Sequence, residues 1–351
     1  MSKGSKTLIV LSPGFPKDET DTTCLPFLQQ FILELKTQYP GLQVFVLAFD
    51  YPFIRHDYLW NNVTVFPFNG WKKGKIVKWT IWLLIFRKMR RIRNENEVIG
   101  ILSLWCGACA LLGSRFARKN HLKHFCWIQG QDAKRGNRYV SRAKPLPGEL
   151  IAISDFIQSE FEKNYSVKPK FVIPAGINPA EFMAPNAVRP IDILGVGSLI
   201  PLKQYSIFIE IIYLVKQSKP GIHAVLCGKG PEASALKELI VQYDLQDNIV
   251  LTGELPHEEV LQFMTRSKIF LHTSAYEGIC VSCIEALYAG SQTISFVRPM
   301  HYPIEHWHIL STKEEMAEKI LNLLSNPETV YSSVKSFTVE ESVQKIMPLF
   351  Y

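Results

Sequence analysis

Nowhere in these 351 residues does an uninterrupted apolar run approach the roughly 20 residues needed to span a bilayer. The opening MSKGSKTLIVLSPGFP has a basic start, but its apolar run stops after five residues at Ser12-Pro13. That is short for a signal-peptide core and reads as a first strand. Charged residues make up only 20% of the chain and hydrophobic residues 47%, with a mean hydropathy of +0.04, which excludes a disordered chain. No Gly-Lys-Ser/Thr phosphate loop and no Gly-x-Ser-x-Gly elbow occurs, so neither a P-loop NTPase nor an α/β-hydrolase is expected. The seven cysteines (24, 106, 109, 126, 227, 280, 283) are odd in number and scattered. They argue against a disulfide framework and for a reducing, cytoplasmic setting.

What is present divides in two. Residues 1–186 carry 26 Lys+Arg against 14 Asp+Glu, a balance of +12, whereas residues 187–351 carry 13 against 18, a balance of −5. Halves of opposite charge imply domains with different partners. Strands are expected at TLIVL, VFVLAF, VTVFPF, VIGILSL, HFCWIQ, LIAIS and KFVIP, then at DILGVG, HAVLCG, IVLTGE, IFLHTS and TISFV. Their continuous Val/Ile/Leu/Phe character suits strands buried on both faces of a parallel sheet, with crossover helices between them. The stretch APNAVRP, Ala184 to Pro190, breaks helix and strand and reads as a linker. The expected fold is α/β, with two doubly wound parallel-sheet (Rossmann-like) domains facing across a cleft. Residues 1–186 would form the first domain, 187–335 the second, and 336–351 a C-terminal helix returning to the first.

Ligands of such sheets sit at the carboxyl ends of strands, beside helix N-termini. Three loops there carry glycine: GVGSLIPLKQ, CGKGPE and SAYEGIC, the first two with a lysine. Glycine lets backbone amides approach a phosphate and lysine supplies a point charge, so together they indicate a phosphorylated ligand. Glu277 and Glu285 flank the last loop. On one helix, eight residues would put them about 80° and 12 Å apart, too far for a glycosidase pair needing roughly 5–10 Å. Glu277 is better placed in the loop before a helix and Glu285 two turns along it, each touching a different end of one ligand. The plainer alternative is two solvated surface carboxylates.

EGICVSCIEALYAG resembles the Glu-x7-Glu signature of retaining glycosyltransferase family 4 (glycosyl transferases group 1), which has the GT-B fold. GVGSLIPLKQYSIFIE is similar to that family's Gly-Arg-Leu-x-x-x-Lys-Gly loop, LCGKGPEASALKELI to its Gly-x-Gly-Pro segment, and IVLTGELPHEEVLQFM to the following strand and turn. ISDFIQSEFEKNYSVKPKFVIPAGINPAEF is similar to the end of its acceptor domain. The register is good over roughly residues 150–297. The resemblance implies that Lys203 binds the donor diphosphate and Glu285 the ribose. Glu277, with the amides of Gly278, Ile279, Cys280 and Val281, would hold the donor sugar. Gly228, Gly230 and Leu255 would lie near the base, and Gly14 would face the diphosphate and acceptor.

The sequence also departs from the family. Ser198 stands where the family has a phosphate-binding arginine, and Gln129, followed by Gln131 and Asp132, stands where it often has a histidine. Glutamine hydrogen-bonds a hydroxyl but shuttles no proton near neutral pH. Lys203, Glu277, Gln129 and Asp132 are therefore the candidate catalytic set. RPMHYPIEHWHIL replaces the family's Gly-rich turn and reads as a packed surface loop. No Asp-x-Asp occurs, so no metal and no cofactor is expected, and lysine, amides and a helix dipole would neutralise the leaving diphosphate. The pairs CGAC (106–109) and CVSC (280–283) have zinc-ligand spacing but read as helix-start core cysteines.

WKKGKIVKWTIWLLIFRKMRRIR, Trp71 to Arg93, holds nine Lys/Arg, three tryptophans and no acid. It reads as an interfacial helix, with Lys72, Lys73, Lys75, Lys78, Arg87, Arg90, Arg91 and Arg93 on anionic lipid and Trp79 and Trp82 at headgroup depth. The alternative is a helix on its own sheet with a solvated basic face; nucleic acid ranks below lipid. The expected activity is retaining, metal-independent transfer of a sugar from a nucleotide-diphosphate sugar to a carbohydrate or lipid-linked acceptor, in cell-surface polysaccharide or glycolipid synthesis. The enzyme would be peripheral on the inner membrane face. A GT-B epimerase or phosphorylase, and a non-catalytic scaffold on a membrane or polyanion, remain as alternatives.

Overall fold

A computed structural model describes residues 5–182 and 188–351. The chain divides into two compact units, residues 1–175 together with Val339–Tyr351, and Gly176–Thr338. The expected boundary at 186/187 lies outside the described residues, as do 184–187 of the expected linker. The end of that linker is anchored. Arg189 is buried, and its guanidinium donates to the carbonyls of Met264, Ser267 and Ala289.

In the first unit the strands are β1 (Lys6–Gly14), β2 (Gln43–Tyr51), β3 (Tyr58–Trp60), β4 (Val63–Pro67), β5 (Glu97–Leu104), β6 (Lys123–Ile128), β7 (Leu150–Ala152) and β8 (Phe171–Val172). They form one sheet in the order β3-β4-β2-β1-β5-β6-β7-β8, parallel except for β3. Six consecutive residues of β1, Thr7 to Ser12, are buried, as a central strand covered by helices on both faces requires. The helices are α1 (Pro26–Gln38), α2 (Lys75–Glu95), α3 (Ala108–Asn120), α4 (Arg138–Ala143) and α5 (Asp155–Tyr165). The short β3 was not expected. Asn61 and Asn62 both have positive φ (45° and 60°), the geometry of a two-residue hairpin turn that Asn tolerates, and this folds β3 back on β4.

α2 packs through Ile81, Ile85, Met89 and Ile92, which recur every three or four residues and are buried. Its outward face runs through Ile76, Trp79, Leu83, Arg87 and Arg90 at the same spacing. That face begins apolar, with Ile76 83% and Trp79 70% exposed, and ends basic. Trp82 is half-buried. The expected uncompensated charge is reduced, because Lys88 pairs with Asp57 (3.0 Å) and Arg91 with Glu95 (2.8 Å). Among the described residues no helix is long and apolar enough to cross a membrane.

The second unit holds β9 (Ile191–Val196), β10 (Ala224–Cys227), β11 (Ile249–Gly253), β12 (Ser267–His272), β13 (Gln292–Ser295) and β14 (Trp307–Ile309) in the parallel order β11-β10-β9-β12-β13-β14. Its helices are α6 (Tyr205–Lys216), α7 (Ala233–Gln242), α8 (His257–Thr265), α9 (Val281–Tyr288) and α10 (Lys313–Ser325). RPMHYPIEHWHIL is not only a loop. Its Trp307–Ile309 forms the edge strand β14, the Trp307 indole donates to Ser295 Oγ (2.9 Å), and His308 Nε2 is 2.8 Å from Gln292 Oε1. These side-chain partners on β13 set the strand's register.

The last helix, α11 (Val339–Ile346), belongs to the first unit. Ser342 donates to the Pro174 carbonyl (2.8 Å), and Phe350 stacks edge-on against Phe125 at 5.1 Å. Phe350 also lies over Gly100, where a Cβ would stand 2.4 Å from its ring. A glycine in β5 is thus required by contact with Phe350.

Candidate active site

In the second unit the strand order reverses direction between β9 and β12, and it is there that open parallel sheets bind ligands. The loop after β9 presents Lys203, at the end of the 3-10 turn Pro201–Lys203; the loop after β12 presents Glu277. The two meet, with Lys203 Nζ 2.5 Å from Glu277 Oε2. Thr273 also donates to the Lys203 carbonyl (2.9 Å), tying the loops together. Burial pushes the Glu277 carboxyl up, but His272 and Lys203 outweigh it and hold the group at about 2. Burial pulls the Lys203 ammonium down, but Glu277 outweighs that and raises it. Both are charged at neutral pH, and Lys203 keeps further N–H donors beyond the one on Glu277.

Glu285 lies two turns along α9 and is buried. Its Oε1 is 2.8 Å from His257 Nε2, and His257 Nδ1 lies 3.8 Å from Glu181. Burial disfavours the imidazolium, but the Glu285 hydrogen bond and the two carboxylates outweigh it and raise His257 above its ordinary value. The sequence reading missed His257. Its only local signal was a histidine opening a helix after Pro256, and its partner is 28 residues away.

The glycines of these loops also have a packing task. A Cβ on Gly228 would lie 1.9 Å from the Gly197 carbonyl oxygen, and one on Gly230 would lie 2.3 Å from that of Leu199. Gly197 N donates to Cys227 O and Leu199 N to Lys229 O, so the loops after β9 and β10 pack backbone on backbone. Their glycines are demanded by that approach. Ser198 is exposed, Leu255 half-buried between β11 and α8, Gly278, Ile279 and Cys280 buried, and Val281 half-buried as the first residue of α9.

In the first unit Gly14 ends β1, where a Cβ would meet only ordinary contacts at 3.6 Å. The Asp132 carboxylate is buried and accepts from the amides of Cys106 (2.6 Å), Gln129 (3.1 Å) and Gly130 (2.8 Å). It thus joins the loop after β5 to the loop after β6. Gln129 is half-buried, and its side-chain amide donates to Trp127 O (3.3 Å).

Two α/β units, each a sheet of parallel strands (β3 excepted) with crossover helices, define the class: this is the architecture of GT-B glycosyltransferases, shared with Anabaena HepE bound to UDP-glucose (TM-score 0.70, 15% identity, 98% of each chain covered). Residues 180–331 match the family model "Glycosyl transferases group 1". In sequence, the chain is 31% identical over 147 residues to a phosphatidylinositol N-acetylglucosaminyltransferase subunit of Arabidopsis thaliana, covering 38% of this chain and 33% of the relative. It is 29% identical over 213 residues to the corresponding human protein, covering 52% and 44%. The chain thus spans less than half the length of these curated relatives.

Proposed function

We propose that this chain transfers a sugar from a nucleoside-diphosphate sugar, with retention of configuration, as a family 4 glycosyltransferase. The observation that carries the reading is the Lys203–Glu277 pair at the switch point of the second sheet, with the carboxylate of Glu285 two turns into the adjoining helix. Lys203 turns its remaining N–H donors to the diphosphate, Glu277 and the amides from Gly278 to Val281 hold the sugar, and Glu285 accepts from the ribose through the oxygen that His257 leaves free. Lys229, whose carbonyl accepts from the residue after Ser198, pairs its ammonium with Glu254 and would turn from that pair to supply the cation that the missing arginine leaves wanting. Charge on the departing diphosphate is stabilised by these fixed groups, so the protein contributes positioning and electrostatics and no nucleophile. Gln129 orients a hydroxyl and Asp132 positions the loop that carries it. The UDP-glucose bound by HepE and the N-acetylglucosaminyl transfer named for the relatives favour a UDP-hexose or UDP-N-acetylhexosamine donor.

The acceptor is lipid-linked, a reading supported by the outward face of α2. Its exposed Ile76, Trp79 and Leu83 enter the interface of an anionic leaflet, while Lys72, Lys73, Arg87 and Arg90 meet headgroups. The relatives named for phosphatidylinositol point the same way.

Thermal-shift titration with UDP, GDP, ADP and CMP tests the donor site. One nucleoside diphosphate should stabilise wild type, with at least tenfold weaker binding in Lys203→Ala and Glu285→Ala. Unchanged affinity in both variants would remove the site. Lys229→Ala should weaken the diphosphate and leave the monophosphate unaffected.

A further inference from the structure

Beside the Lys203–Glu277 pair lies a cluster of side chains to which sugar transfer assigns no role. His272 ends β12, Cys280 caps α9, and Cys283 sits in its first turn. Their ligand atoms all lie within 4.8 Å of one another, and Cys280 Sγ is 3.5 Å from His272 Nδ1. His272 is 3% exposed, Cys280 7% and Cys283 0%. The far nitrogen of the imidazole, Nε2, is buried without a hydrogen bond and stands 3.6 Å from Glu277 Oε2. We propose that His272 Nδ1, Cys280 Sγ and Cys283 Sγ bind one thiophilic divalent cation of the zinc type.

Donor chemistry selects the metal. Two sulfurs and an imidazole suit zinc, whereas magnesium and manganese require oxygen ligands. Bond lengths of about 2.3 Å to sulfur and 2.0–2.1 Å to nitrogen give a tetrahedron with edges of roughly 3.4–3.8 Å. The His272–Cys280 edge, at 3.5 Å, already has that length. Cys-x-x-Cys at a helix start places both thiols on one side of the first turn, and the strand end brings the histidine across from them. Glu277 faces the opposite ring nitrogen, as the orienting carboxylate of a carboxylate–histidine–metal arrangement does. It favours the tautomer with the proton on Nε2 and the lone pair on Nδ1.

Charge agrees with this assignment. With both thiols deprotonated, Glu277 and the two sulfurs against the Lys203 ammonium would carry two net negative charges, which a divalent cation would cancel inside the buried cluster. Binding displaces the thiol protons. A pair of core cysteines alone would need no buried histidine beside it, and here Nδ1 of His272 faces Cys280 Sγ. The ion joins the end of β12 to the start of α9 and so fixes the intervening loop; three protein ligands leave the fourth position to a water or another small donor. This assignment does not depend on the sugar-transfer reading, because the site would bind metal whether or not the unit turns over a donor.

The test is a Co²⁺ titration of the full-length, fully reduced, chelator-treated protein. One equivalent should bind, with thiolate-to-cobalt charge-transfer bands and the ligand-field absorption of a tetrahedral site, and Zn²⁺ should displace it. Cys280→Ser and Cys283→Ser should each weaken binding at least tenfold and diminish the charge-transfer bands. Glu277→Gln should weaken it about 10–100-fold with the spectrum kept. Cys106→Ala, in the other cysteine pair, should change nothing. Failure of reduced wild type to bind cobalt stoichiometrically overturns the proposal, and no variant is needed for that result. Binding that survives in a Cys280→Ser/Cys283→Ser double variant, or disappears in Cys106→Ala, also overturns it by placing the ion elsewhere.

Discussion

His257 and His124 are both enclosed, yet their surroundings push them in opposite directions. His257 is raised because two carboxylates outweigh its burial. Its stabilising effect is complete below the ordinary histidine value of 6.5 and is lost as pH rises through the raised one. His124, in β6, is lowered to about 4 by burial, with Ser103 Oγ 2.9 Å from its Nε2. It stays neutral when folded, so its effect is nil above 6.5 and costs about 3 kcal/mol once pH has fallen to 4, as the unfolded chain takes up the proton. Thermal midpoints measured from pH 4 to 9 should show His124→Gln relieving the acid limb and His257→Gln flattening the alkaline one. Parallel wild-type and variant curves would contradict either assignment. Neither partner was legible in sequence, because both contacts join residues at least 21 positions apart.

Whole elements were easier to read than single partners. All twelve expected strands form, most of them as runs of apolar β-branched or aromatic residues, although β8 is only half-buried and β11 exposes Val250. The two that escaped, β3 and β14, have three residues each and lie at sheet edges, where their neighbours supply the order. For β3 the signal was present as Asn61-Asn62; for β14 it was masked by the surrounding prolines and histidines, and the partners of Trp307 and His308 lie on β13. Of the site, Lys203, Glu277 and Glu285 were marked by loop position. The packing role of Gly228 and Gly230 was hidden, since sequence does not distinguish a glycine facing a phosphate from one facing another loop. Two element-level tests follow from these contacts. Gly100→Ala should displace Phe350 and cost about 1–3 kcal/mol, read by denaturant midpoint, with an unshifted midpoint arguing against the contact. On α2, Arg87→Glu with Arg90→Glu should weaken sedimentation with phosphatidylserine vesicles at least tenfold, and Trp79→Ser should do so even on weakly charged vesicles. Arg91→Glu, already paired with Glu95, should matter less. Sedimentation that ignores all three variants would assign this face to something other than lipid.

At the scale of the molecule, the first unit is assembled from both ends of the sequence. Val339, Val343, Ile346, Met347 and Phe350 are all buried, and each contributes on the order of 1.5–3 kcal/mol by burial before chain entropy is deducted. Their sum is comparable to the 5–15 kcal/mol that holds an ordinary domain together. Truncation after Thr338 should therefore abolish the unfolding transition of the first unit and leave that of the second. Two intact transitions in the truncated chain would show α11 to be dispensable. The same discontinuity reverses the usual order of events during synthesis. Residues 5–175 leave the ribosome first but wait for residues 339–351, while the unit encoded between them can close as soon as it emerges. Through that interval the nascent chain presents a finished second half and an unfinished first one, with β5 and β6 uncovered where Phe350 will later sit.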